Sequence, residues 1–322
     1  MILEPPKVWN ASDNSLRIAK APLRVSFAGG GTDLPSFYER EEWGAVCSMA
    51  IDKYVYVVAK PLPELFPYRY KLAYSRTELC NEIDDIAHPI IREVLRSHKI
   101  PSLDLASFAD IPAGTGLGSS SAFTVALEAL LGGIENAAER ACTIEIDRLR
   151  EPIGKQDQLC SAKGSLGYHI FKRDGSVTSN CSRNDPSNAC CLFYVGGSRS
   201  ASETLSRQSS NPNVEILKKM RVQAIQAADA INAADYRTLG KIVSEGWELK
   251  KQLTYGITTP EIDSLIHSAL QAGAWGAKLL GAGGTGFILV VADPANFDKI
   301  GLAMGRKPIS IQMSKGVSVE SL

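Results

Sequence analysis

The sequence predicts an α/β chain of two domains. Its 322 residues are long for one domain and comfortable for two. Through the first two thirds, stretches rich in Val, Ile and Tyr alternate with stretches of helical periodicity. Beyond Gly196-Gly197 the text changes to long helices before strands return. The expected division is therefore an arm over residues 1–15, one domain over 16–195 and a second over 196–322.

Taken in order, the opening MILEPPKVWNASDNS has prolines and polar residues without periodicity, which reads as an arm that Trp9 tacks down. RIAKAPLRVSFAGG alternates as a strand and breaks at Gly29-Gly30-Gly31 into TDLPSFYER, a helix start. Residues 45–60 read as a strand bent near Asp52-Lys53, and 71–75 as a shorter one. AHPIIREVLRS, residues 87–97, has helical spacing with Pro89 in its first turn and His88 as a cap or surface residue. Residues 102–109 alternate as a half-buried strand. Helices are expected over 123–131 and 137–149, then strands over 167–173, 176–182 and 190–195, with Asp174-Gly175 as a hairpin turn. The remaining text predicts helices over 214–231, 236–253 and 261–272, strands around the glycines of LLGAGGTGFILVVA, a helix near 296–304, and strands near 310–313 and 317–319.

Composition removes several function classes. Lys+Arg of 35 against Asp+Glu of 35 gives no net charge, which argues against a general nucleic-acid or membrane-surface binder and suits a small charged ligand. No run approaches the roughly 20 apolar residues of a membrane span. The seven cysteines are scattered without CxxC spacing, so neither a disulfide framework nor a zinc site is indicated, and a reducing, cytoplasmic setting is expected. Walker, Rossmann, HExxH and G-x-S-x-G patterns are absent, and the four histidines are too dispersed to nominate a metal site.

The stretch IPAGTGLGSSSA, residues 111–122, joins Gly114, Gly116 and Gly118 to Ser119, Ser120 and Ser121 just ahead of a buried helix. Backbone N–H groups in such a turn, with a helix dipole behind them, make an anion cradle. Alone, the run equally fits a glycine turn with a serine N-cap. Two further glycine turns, at 29–31 and 281–286, and the isolated polar residues Arg24, Asp33, Glu145 and Asp157 alter that balance. Together they supply what phosphoryl transfer needs: N–H groups for phosphates, hydroxyl and carboxylate ligands for Mg²⁺, a carboxylate beside the accepting hydroxyl, and a cation.

The three loops together resemble the GHMP kinase superfamily. Its central motif, Pro-x-x-x-Gly-Leu-Gly-Ser-Ser, stands here as Pro112-Ala-Gly-Thr-Gly116-Leu117-Gly118-Ser119-Ser120. Its first motif appears as Ala21-Pro-Leu-Arg24-Val-Ser-Phe-Ala-Gly29-Gly-Gly-Thr32-Asp33, and its third as Gly281-Ala-Gly283-Gly284-Thr285-Gly286, with Thr285 in place of a glycine. Within that superfamily AGGGTDLP, IDKY, HPIIREVL, EPIGKQDQ, SRSASETL and WELKKQL are most similar to the bacterial D-glycero-D-manno-heptose 7-phosphate kinases.

The resemblance implies an N-terminal domain of mixed sheet and helices, a C-terminal ferredoxin-like domain, and ATP and sugar phosphate between them. It implies ATP on Pro112, Gly114, Gly116, Leu117, Gly118, Ser119, Ser120, Ser121, Gly283 and Gly284. Mg²⁺ would lie on Ser120, or on Ser119 in its place, and on Glu145. Asp157 would face the accepting hydroxyl as base or electrostatic orienter, with Arg24 as its partner cation. Gly30, Gly31, Thr32 and Asp33 would contact sugar hydroxyls. The substrate's own phosphate needs cations, for which Lys20, Lys155 and Arg199 are candidates, although each equally fits a surface salt bridge. The implied reaction phosphorylates the anomeric hydroxyl of D-glycero-D-manno-heptose 7-phosphate, feeding nucleotide-activated heptose for surface polysaccharide. The partners implied are these small molecules, without nucleic acid or membrane, and a homodimer is allowed. A kinase for fucose, galactose or mannose is the alternative, and a silent sugar sensor on the same fold a more distant one.

Overall fold

The computed structural model describes Trp9 and residues 15–182, 184–197 and 213–322. Strand β1 (Arg17–Ala28) sends Ala19, Ala21, Leu23, Val25 and Phe27 into the core, so Arg24 and Ser26 share its other face. After the short helix α1 (Pro35–Tyr38) comes β2 (Trp43–Lys60), which pairs antiparallel with β1 along nearly its whole length. Opposite Pro22 and Leu23 the register jumps from Tyr54 to Ile51, so Asp52 and Lys53 bulge where the sequence places a bend.

Strands β3 (Tyr70–Ala73) and β4 (Thr77–Cys80) form a hairpin, of which β4 has no counterpart in the sequence reading. Helix α2 (Pro89–His98) is capped by His88, whose ring accepts from the Ile91 amide. Strand β5 (Leu103–Ala109) leads into α3 (Ser119–Gly132), whose side chains are buried almost all round, as a central helix requires. The single helix expected over 137–149 is instead α4 (Ala137–Cys142) followed by a wider π-helical turn, Thr143–Arg148. Then follow α5 (Gln156–Lys163), β6 (Leu166–Lys172) and β7 (Val177–Cys181).

The C-terminal part contains β8 (Cys190–Gly196), α6 (Val214–Asn232), α7 (Tyr236–Lys251), α8 (Pro260–Gln271), β9 (Gly276–Leu279), β10 (Gly286–Val291), α9 (Phe297–Met304), β11 (Pro308–Ser310) and β12 (Ser318–Ser321). Asn213, Asp235 and Thr259 cap the first turns of α6, α7 and α8 through their side chains.

Among the described residues two sheets result. One has the order β12-β1-β2-β5-β3-β4, with β6 and β7 continuing from the first half of β2; its pairs are antiparallel except β3 with β5. The other is antiparallel with the order β11-β8-β10-β9, which with its crossing helices is a ferredoxin-like β-α-β-β-α-β arrangement.

Sheet membership departs from the expected division at 195/196. Strand β8 lies inside the C-terminal sheet, while β12, the last strand of the chain, pairs with β1. The reason is burial on both faces of β8. Cys190 and Leu192 join the large core shared with β1 and α3, whereas Cys191 and Phe193 join the core under α8 and α9. Among the described residues no helix is long and apolar enough to cross a membrane.

Candidate active site

The loop before α3 is held from three sides. Thr115 Oγ1 donates to the Pro112 carbonyl at 2.8 Å and closes the turn. The Arg24 amide donates to the Leu117 carbonyl at 3.0 Å, and Arg24 Nη1 to the Gly116 carbonyl at 2.6 Å, which moors the loop to β1. The loop between β9 and β10 then backs onto it: a Cβ on Gly116 would lie 2.7 Å from the Leu280 carbonyl oxygen, and one on Gly281 2.3 Å from Gly116 Cα. Only glycine on both sides permits that approach. At the helix start Gly118 has φ 76°, so the chain turns into α3 with the amides of Ser119, Ser120 and Ser121 at its N-terminus, where no intrahelical acceptor exists for them. This is a backbone anion site with the helix dipole behind it.

Asp157, in the first turn of α5, lies directly over that turn. A Cβ on Gly118 would come within 3.0 Å of its Oδ2. Arg24 grips the carboxylate in a two-pronged pair, Nε to Oδ1 at 2.8 Å and Nη2 to Oδ2 at 2.9 Å. The guanidinium is buried and the carboxylate keeps a solvent-facing side. One side chain thus ties β1, the phosphate-type loop and α5 together.

Asp33 sits beside this pair, buried against Gly154, and accepts from the Gly31 amide at 3.0 Å and the Gln156 amide at 3.4 Å. Burial, reinforced by the nearby Asp157 charge, raises its pKa from 3.8 to about 6.

Glu145 comes from the π-helical turn and is almost fully buried. Its Oε2 accepts from Gln158 Nε2 at 2.7 Å, and its Oε1 lies 3.4 Å from Ser120 Oγ, which donates. Burial pushes this carboxyl up to about 7. Among the described residues no group of three or more His, Cys, Asp or Glu could hold a metal ion. One buried carboxylate plus one hydroxyl is nonetheless a donor set suited to Mg²⁺, which commonly takes its other ligands from water and phosphate.

These groups open on one cleft of about 430 Å³. Of the residues singled out from sequence, it brings together Arg24, Gly30, Gly31, Asp33, Gly116, Gly118, Ser119, Ser120, Ser121, Glu145 and Asp157. Pro112 and Gly114 are exposed on the outer side of the loop, and Leu117 is buried beneath it. Gly283 and Gly284 pack on Ile257, the Gly284 amide donating to its carbonyl at 2.9 Å. Thr32 is buried outside the cleft, with Oγ1 donating to the Gly29 and Ala45 carbonyls and accepting from the Ala45 amide; its work is to hold the first glycine turn on β2.

Two of the three cations expected to hold a substrate phosphate do not line the cleft. Lys20 stacks its ammonium 3.7 Å from the Tyr54 ring centroid, and Lys155 donates to the Gly175 carbonyl at 3.0 Å; neither lines the cleft. Arg199 lies outside the described residues.

The cleft instead contains Lys250, Lys278, Ser26 and Gln156, which the sequence reading passed over, and Gln158 stands behind Glu145. Lys278 carried a signal, being a charged residue in the apolar run GAKLL. Ser26 carried another, two residues beyond Arg24 on the same strand face. Lys250 carried none, because WELKKQL does not say which of two adjacent lysines faces inward.

Two family models match the chain: GHMP kinases N terminal domain over residues 85–165 and GHMP kinases C terminal over residues 227–309. At 26% identity over 303 residues, spanning 85% of this chain and 89% of the relative, the sequence is similar to a D-glycero-alpha-D-manno-heptose 7-phosphate kinase of Campylobacter jejuni. A galactokinase of Pyrococcus furiosus is 24% identical over 333 residues, covering 89% and 92% of the two chains. A solved D-glycero-D-manno-heptose 1-phosphate kinase from Bacteroides thetaiotaomicron shares the fold with a TM-score of 0.73 at 22% identity, over 95% of this chain and 99% of that one.

Proposed function

Since the chain belongs to the GHMP kinases, as an ATP-dependent phosphotransferase acting on a sugar hydroxyl, we propose that its acceptor is D-glycero-D-manno-heptose 7-phosphate. The reaction on this reading moves the γ-phosphoryl group of MgATP to the anomeric hydroxyl and yields the 1,7-bisphosphate. The observation that carries it is the Arg24–Asp157 pair seated over Gly118, which sets a carboxylate beside the mouth of the anion cradle.

The amides at the start of α3 and the glycine loop hold the triphosphate. The acceptor hydroxyl sits against Asp157, which orients its lone pair toward the γ-phosphorus and receives its proton as the new O–P bond forms and the bond to the bridging oxygen breaks, releasing ADP. Because the transferring group is loosely bonded in the transition state, charge placement carries more of the rate than proton removal. Arg24 offsets the charge that gathers at that point. Asp33 and the Gly30 and Gly31 backbone take sugar hydroxyls. Ser120 and Glu145 would hold Mg²⁺, which neutralises phosphate charge when bound. The same reading sets the enzyme in the cytoplasm with small molecules as its partners.

An ADP-release assay across heptose 7-phosphate, unphosphorylated heptose, galactose, fucose and mannose tests this. The expected result is the highest kcat/KM on heptose 7-phosphate. The galactokinase similarity keeps a hexose acceptor as the second reading, and turnover of any unphosphorylated sugar at an equal or higher rate would establish that one in its place.

A further inference from the structure

Two ammonium groups stand in the cleft without an acidic partner among the described residues. Lys250, in the last turn of α7, donates to the Gly281 carbonyl. Lys278, on β9 and 8% exposed, donates to the Phe27 carbonyl at 3.2 Å. Among the described residues each spends one of its three N–H groups in this way. The Ser26 hydroxyl, 7% exposed and lining the same cleft, has no hydrogen-bond partner among the described residues. A buried ammonium without a counter-charge is costly, and so is a buried hydroxyl left unpaired. One guest relieves both costs, an anion with several acceptor oxygens.

We propose that Lys250, Lys278 and Ser26 form a subsite for an anionic group of the acceptor, a phosphomonoester borne on its carbon chain away from the reacting hydroxyl. The proposal rests on the reading of Asp157 as the residue that faces that hydroxyl.

Position assigns the subsite to the acceptor rather than to the nucleotide. At Arg24 the β1 backbone touches the phosphate-type loop through Leu117. Ser26 lies two residues further along the same strand face, about 7 Å away, and the Lys278 ammonium reaches the next carbonyl, that of Phe27. Both therefore stand on the Gly29–Gly31 and Asp33 side of the Arg24–Asp157 pair. Lys250 closes the gap, near enough to feel both Arg24 and Asp33.

The charges facing the two lysines agree with such a guest. Arg24 and the lysines repel one another; Asp33 is the opposing charge on Lys250, while the Cys47 thiol beside Lys278 is itself pushed up to about 12 by burial and stays neutral. Burial and that repulsion lower Lys250 to about 8 and push Lys278 well below its ordinary value. An arriving dianion reverses the balance, so its binding draws protons from solution.

Titration calorimetry without ATP, in two buffers of different ionisation enthalpy, tests the subsite on the full chain. Heptose 7-phosphate should bind the wild type with proton uptake. Lys250→Met and Lys278→Met should each weaken it about tenfold or more and reduce the uptake, and Ser26→Ala should weaken it severalfold. Affinity for a non-hydrolysable ATP analogue should stay within about twofold in all three. Circular dichroism melts check folding, and Ser26→Ala, which removes one oxygen, decides if a lysine variant does not fold. Unchanged heptose phosphate affinity in the folded variants overturns the proposal, as does a loss confined to the ATP analogue.

Failure of the substrate reading is separately visible. If the wild type turns over only an unphosphorylated sugar, inorganic phosphate is used as a competitor of that sugar. Competition that depends on the lysines upholds the subsite, and its absence overturns it.

Discussion

At Asp157 a single carboxylate stands over the turn into α3 and opens on the cleft, with both oxygens already held by Arg24. Asp157→Asn keeps the shape and removes the charge. It should lower kcat by about 10² to 10⁴ and leave the KM for ATP nearly unchanged; steady-state kinetics with near-normal kcat would exclude the role. Asp33 lends itself to a pH test. Its pKa rises from 3.8 in the unfolded chain to about 6 in the folded one. Over that interval the folded state holds the proton that the unfolded state has lost. Stability therefore falls as pH climbs from about 4 to about 6, and the penalty, on the order of 3 kcal/mol, is complete above that. Asp33→Asn should raise Tm by a few degrees near pH 8, give no gain near pH 4, and reduce turnover. Equal gains at both pH values would show that the carboxylate's charge is not the cause. At this scale motif position in the sequence picked out Asp157, Arg24 and Glu145, which the fold brings to one cleft. It was silent on Lys250, whose neighbour Lys251 is the same residue type but faces Glu248 and Asp263 at the surface.

Among the elements, the turn into α3 and the contact between two glycine loops leave no room for a Cβ. Gly118→Ala would have to keep φ 76° with a side chain, costing about 1 kcal/mol, while its Cβ presses on the Asp157 carboxylate at 3.0 Å. Turnover should fall much further than Tm. Gly116→Ala meets backbone, the Leu280 carbonyl at 2.7 Å, with no flexible atom to yield. Calorimetry should show a Tm loss for Gly116→Ala clearly larger than for Gly118→Ala, with weakened ATP-analogue binding; the reverse order would mean that the loops separate freely. Most elements were legible because period-two and helical patterns are local properties. The π-helical turn that carries Glu145 was not, because its extra residue per turn fits the same apolar spacing as the end of an α-helix. Strand β4 was missed for a related reason: only its hairpin partner β3, itself beside β5, makes an exposed TELC segment a strand.

The whole molecule is less divisible than a two-domain outline suggests. The largest core cluster runs from β1 and α3 through α6 and α7 to one face of the C-terminal sheet. Strand β12 closes the circuit by pairing Ser318–Ser321 with Arg17–Lys20 of β1. One cooperative unfolding transition is expected by calorimetry rather than two, and removing residues 318–322 should lower its midpoint and expose the β1 edge to aggregation. Two separate transitions in the intact chain would show that the shared core does not couple the sheets. The sequence by itself determined the three glycine turns, the carboxylates at motif positions, the kinase family and most of the secondary structure, because each is written in local spacing. Tertiary structure decided that β8 and β12 join the sheets opposite to their place in the chain, that Thr32 braces a turn, and that Lys250 and Lys278 rather than Lys20 and Lys155 face the cleft. Those outcomes depend on which face of an element meets a partner elsewhere in the chain, from 13 residues away for Thr32 and Ala45 to 251 for Lys278 and Phe27, and local pattern says that a face will be buried without saying against what.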